Sequence, residues 1–87
     1  MLASELEINE NSGKISKVKA FTILVSNGVG LAFWREDNHI KVARSCGGSF
    51  WWYEFSFELG KATTIINILI QLVNLGGEVD EISNSKV

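Results

Sequence analysis

The sequence predicts an α+β domain: an antiparallel β-meander of about four strands, followed by one C-terminal helix packed on one face, with room for a short edge strand at each end. Three observations carry this. Residues 14–59 are rich in β-branched and aromatic side chains. Three turn signals divide that stretch: Asn27-Gly28, Asp37-Asn38 and Cys46-Gly47-Gly48-Ser49. From Lys61 to about Leu75 the apolar spacing changes to that of a helix.

The elements follow in order along a single domain of 87 residues. Residues 1–13 form an acidic segment in which Leu6 and Ile8 alternate with acids, the pattern of an edge strand. Lys14 to Ser26 reads as the first strand of the meander, and Asn27-Gly28 is a strong hairpin signal. Val29 to Glu36 returns, Asp37-Asn38 turns, and His39 to Ser45 runs back. After the third turn, Phe50 to Leu59 is the most aromatic strand, and Gly60 breaks the pattern. A helix is expected over residues 61–76. Its stripe is Ala62, Ile65, Ile66, Leu69, Leu72 and Val73, and Gly76-Gly77 permits a left-handed stop. Residues 77–87 supply either a short strand at Glu78 to Ile82 or a frayed tail.

Two-residue loops at all three turns would pair Lys19 with Glu36, Phe21 with Trp34 and Ile23 with Ala32. The same register sets Trp34 opposite Lys41, Lys41 opposite Glu54 and Ala43 opposite Trp52. One sheet face then carries Leu24, Leu31, Phe33, Ile40, Val42, Trp51, Tyr53, Phe55 and Phe57, the larger set and the one expected beneath the helix. The other carries Phe21, Ile23, Val25, Trp34, Ala43, Phe50 and Trp52, edged by Lys17, Lys19 and Lys41. A single bulge would exchange the faces of a strand.

Both faces are apolar, and this is the main anomaly. An antiparallel sheet with one solvated side should alternate apolar with polar residues. One helix of about 15 residues, roughly 22 Å long, shields only one side. The helix has its own surplus, because Ile68, Ile70 and Leu75 lie off its main stripe. The surplus is covered by the chain's own ends, by a second copy, or by another macromolecule. A homo-oligomer, with a dimer favoured, is the expectation.

Composition narrows the chemistry. Cys46 is the only cysteine and His39 the only histidine, so neither an internal disulfide nor a zinc site can form. Catalytic, cofactor-binding and metal-ligating residues are therefore predicted as none. Gly28-Val29-Gly30 lacks the third glycine and following helix of a dinucleotide loop. Ser45 and Ser49 stand outside any nucleophile elbow, and Glu36-Asp37 reads as a strand end and a turn former. The longest apolar stretch, Ile65 to Leu75, is broken by Asn67, Gln71 and Asn74 and falls short of a membrane span. Acid stands near the N-terminus where a leader would carry base, and the expected location is cytoplasmic.

The function expected is a non-enzymatic protein-interaction module: a small homo-oligomeric regulator, or an accessory or inhibitor protein that docks through an aromatic sheet face. A short, acidic, cysteine-poor chain without motifs fits a phage or mobile-element accessory protein. The candidate binding face is Phe21, Trp34, Lys41, Phe50, Trp52 and Lys19, and the candidate oligomer face of the helix is Ile68, Ile70 and Leu75. A heterologous protein partner suits the three tryptophans, since aromatic residues dominate interface hot spots. Single-stranded nucleic acid is the alternative partner, stacking on the same aromatic and lysine face. A meander with one C-terminal helix resembles, in layout only, coactivator-type single-strand binders. Against nucleic acid stands a formal charge of −2.

Overall fold

The computed structural model describes residues 1–47 and 49–76. In chain order it holds β1 (Ser4–Asn9), β2 (Ile15–Ser26), β3 (Val29–Glu36), β4 (His39–Cys46), β5 (Trp51–Glu58) and α1 (Leu59–Asn74). The meander and its C-terminal helix are present, and the N-terminal segment forms a strand as its alternation predicts. The strand expected at Glu78 to Ile82 lies outside the described residues.

Each strand pairs antiparallel with the next, and the sheet closes on itself. The seam is a short parallel pairing of Ile8 with Trp51 and Asn9 with Trp52. Parallel closure follows from the strand count: in an up-and-down succession of five, the first and last strands run the same way. The Asn9 side chain fastens the seam, its Nδ2 donating to the Trp51 carbonyl at 3.1 Å.

Five strands enclose a narrow interior, in which small residues leave room for a few large rings. Ala20, Ala32, Ala43, Ile8 and Ser45 are fully buried, and Trp34 nearly so. Leu6, Val18, Trp51 and Tyr53 pack against this cluster. At Gly30 even a methyl group would be tight, since an added Cβ would stand 3.1 Å from the Trp51 ring. The glycine is what lets that indole lie across the barrel.

Two bulges decide which residues face inward. The β3–β4 register is the expected one, with Trp34 opposite Lys41. Between β2 and β3, however, Phe21 meets Phe33 and Ile23 meets Leu31, in place of Trp34 and Ala32, and the expected Lys19–Glu36 pairing is displaced with them. The register shifts between Leu24 and Ser26. A two-residue I′ turn needs positive φ at both central residues. Here Gly28 has φ 72°, while Asp37 is the only non-glycine with positive φ among the described residues. Asn27 therefore does not complete that turn, and the strand takes up the extra residue as a bulge. A second shift places Val42 opposite Phe55 and Ala43 opposite Tyr53, so Lys41 meets Ser56 rather than Glu54 and Ala43 does not meet Trp52.

The outcome mixes the two expected faces. Trp51 and Tyr53 join Trp34, Ala32 and Ala43 inside. Phe21 and Ile23 join the outward row of Leu31, Phe33, Ile40, Val42, Phe55 and Phe57.

α1 starts directly after β5 and lies against β4 and β5. The Leu59 N–H donates to the Asn38 carbonyl at 2.7 Å, tying the first turn to the β3–β4 hairpin. Leu59, Ala62 and Ile65 are half-buried; every described residue after Ile65 is exposed. At 100° per residue, Leu69 and Val73 share the side of Ala62 and Ile65. That stripe therefore continues past its cover. Gly76 takes φ 81°, the left-handed conformation expected of a helix stop.

Candidate functional site

The outer barrel surface carries two apolar rows set by strand pairing. Phe21, Phe33, Val42 and Phe55 lie side by side across β2 to β5, with Val42 itself buried. Ile23, Leu31, Arg44 and Trp52 form the next row. Phe21 is 45% exposed, Trp52 53% and Phe55 55%. Phe55 and Phe57 alternate along β5 on the same side and tilt against each other, with ring centroids 6.5 Å apart. The one charge within these rows is Arg44, whose Nε lies 3.4 Å from Glu54 Oε2. Glu54 is the unpaired residue of the β5 bulge, and the bulge allows it to lie beside Arg44.

The second surface is α1. Ile66, Ile68, Leu69, Ile70, Leu72, Val73 and Leu75 are all exposed. No residue of the helix is buried, and Glu58 makes no side-chain cap at its start. No acid lies in the first turn and no base in the last, so the macrodipole is uncompensated. The helix is also rich in residues of modest helix propensity: Thr63, Thr64, Ile65, Ile66, Ile68, Ile70 and Val73 are all β-branched. An isolated helix of this length is marginal even when alanine-rich. Packing must hold it, and the barrel supplies packing only to its first two turns.

The candidate residues named from sequence separate into three places. Phe21, Trp52 and Lys19 lie on the outer side of the barrel, and Phe50 is exposed just before β5. Trp34 is inside, 8% exposed, and its indole Nε1 is buried without a hydrogen-bond partner. Lys41 is half-buried near it, with Nζ 3.4 Å from Glu36 Oε1 and 5.7 Å from the Tyr53 ring centroid. Ile68, Ile70 and Leu75 are exposed on the helix. Sequence reasoning assigned Phe33 and Phe55 to the covered face and so left them out of the binding set. What leaves them outside is the closure of the sheet, which turns the side of Trp34 inward and theirs outward, and no local sequence pattern encodes that closure.

Chemical machinery is sparse. Among the described residues no group of three or more His, Cys, Asp or Glu is placed to hold a metal ion. Cys46 is exposed at the end of β4. No described helix is long and apolar enough to cross a membrane. No family model matches the chain, and no curated protein or solved structure matches it significantly.

Proposed function

We propose that this protein is a non-enzymatic interaction module that self-associates through α1 and presents the aromatic outer face of its barrel to a protein partner. The observation that carries the reading is the helix: uncapped, rich in β-branched residues, and apolar well beyond the part that touches the barrel. Seven large apolar side chains, each half or more exposed, forgo on the order of 1 kcal/mol apiece in water. Together they approach the net stability of a small domain.

A second copy suits this surface on charge. Lys61 is the only charged residue of α1, and the polar positions Thr64, Asn67, Gln71 and Asn74 form one narrow stripe. Two such helices meet across a two-fold axis without like charges opposing each other. The outer face of the barrel then remains for another protein, with Phe21, Trp52 and Phe55 as anchors. Nucleic acid is less suited, because Trp34 is withdrawn from that face and Arg44 is engaged by Glu54.

Sedimentation equilibrium from micromolar to millimolar protein tests the first half. A dimer is expected for the wild type, and a folded monomer for Ile68→Asp and for Leu69→Asp. A wild-type monomer across the whole range would overturn self-association through α1. Titration with a single-stranded oligonucleotide tests the second half. Salt-sensitive binding abolished by Trp52→Ala would replace the protein partner with nucleic acid.

A further inference from the structure

The barrel wall has an opening that neither surface above uses. β2 pairs with β1 from Ile15 to Ala20, but its ladder with β3 runs only from Phe21–Phe33 to Ser26–Val29. Below Phe21 the two strands part. One lip is the outer edge of residues 16–20 and the other is Trp34 to Glu36, which pairs with β4 on its far side. In an antiparallel strand every second residue turns both its N–H and its C=O to the same side, so each lip offers the start of an unfilled ladder.

The notch between the lips is lined by Ser16, Lys17, Val18, Lys19, Trp34, Arg35 and Glu36 and holds about 530 Å³. Its charge is lopsided. Lys17 and Lys19 are exposed on one lip and Arg35 on the other; no ion pair among the described residues engages any of them, and Arg35 Nε donates to the Asp37 carbonyl at 3.0 Å. Glu36 is turned to Lys41; Glu5 and Glu7, on β1, stand directly opposite Lys19 and Lys17 in the ladder but are not part of the notch lining. The wall of the notch includes Trp34, the residue whose buried indole N–H lacks a partner. A buried donor left unmade costs about 1–3 kcal/mol and calls for an explanation.

We infer that this notch is a docking site for an extended acidic peptide, which adds as a strand along the β2 edge and sets carboxylates between Lys17 and Lys19 on one lip and Arg35 on the other. Strand addition supplies the main-chain hydrogen bonds, and side chains at alternate positions supply specificity. The spacing agrees with the site: Lys17 and Lys19 are two residues apart on one strand face, which matches acids at alternate positions of an added strand. Phosphate-bearing polymers would satisfy the three cations but not the strand edges, and this difference makes the proposal testable.

The experiment titrates the full chain with a synthetic peptide of alternating glutamate and valine, followed by amide and indole proton–nitrogen correlation spectra. Saturable shifts are expected in residues 16–20 and 34–36 and at the Trp34 indole. Lys17→Gln with Lys19→Gln, or Arg35→Gln alone, should weaken binding at least tenfold; these residues are exposed, so the fold should be retained, checked by melting. A peptide with proline at its central positions keeps the charge and loses the donors, and should bind at least tenfold more weakly. Equal binding of the proline peptide, or tighter binding of a single-stranded oligonucleotide at the same cations, would show a polyanion site and overturn the strand-addition proposal. Shifts confined to the outer aromatic rows would overturn the location.

Discussion

Truncation of Ile8 to alanine tests the closure of the barrel. Ile8 is 0% exposed and sits at the seam where β1 meets β5 in parallel, opposite Trp51. The change deletes three carbon groups, worth about 0.8 kcal/mol each in transfer, or roughly 2.4 kcal/mol. A residual cavity on the order of 50 Å³ adds about 1.2 kcal/mol at the slope found for core leucine truncations. The expected loss is therefore about 3.5 kcal/mol. A chain of this length has roughly 4–13 kcal/mol in total, so the variant should be marginal but measurable. Urea denaturation followed by tryptophan emission reads it, with the midpoint falling by about 2.3–3.5 M if the slope stays near 1–1.5 kcal/mol/M. Ile15→Ala, at an exposed position of the neighbouring strand, is the control and should cost less than about 1 kcal/mol. Equal small losses for both would refute the reasoning: β1 would then be laid on the sheet rather than sealing it.

Gly30→Val should cost about 1–3 kcal/mol by overpacking and shift the Trp51 emission, because even one added carbon stands 3.1 Å from that ring. Gly28→Ala, at φ 72°, should lose about 1 kcal/mol in a melt, while Gly28→Asn should lose less, asparagine being more at ease there. Asp37→Gly should be neutral or stabilising by up to about 1 kcal/mol, since Asp37 holds φ 55° without being glycine. Glu54→Gln should change stability by less than about 1 kcal/mol at low salt and by nothing at high salt, as an exposed ion pair does; a larger loss would give the bulge a structural role beyond its pairing with Arg44.

How much of this was legible in the sequence depends on the length scale of the signal. Strand positions and the helix are local, written in β-branched runs, turn residues and 3.6-residue spacing, and they appear close to where they were read. The β3–β4 register was legible too, because Asp37-Asn38 leaves no extra residue between Trp34 and Lys41. The faces of β2 and β5 were not. Val25 and Glu54 each add one unpaired residue, and nothing in the side-chain pattern near them announces it. The closure of β1 on β5 joins strands more than forty residues apart through two residue pairs, and no periodicity within either strand encodes it. In the candidate site, the aromatic surplus was correctly seen as too large for one helix to cover. Its division was seen only in part: Trp34 and the Phe33–Phe55 pair were read on opposite faces, but the two bulges carry Phe21, Ile23 and Trp52 over to the side of Phe33 and bring Trp51 and Tyr53 to the side of Trp34, and closure of the barrel turns that side inward.

The direct passage of β5 into α1 sets how the protein meets its surroundings. Glu58 ends the strand, Leu59 begins the helix, and the Leu59–Asn38 hydrogen bond pins the joint to the opposite hairpin. The helix is therefore a fixed arm rather than a tethered one. An assembly built on it would take its geometry from that joint. A torque applied to the far end of that arm would be delivered first to the Asp37-Asn38 turn, beside the one non-glycine residue among those described whose backbone is already left-handed.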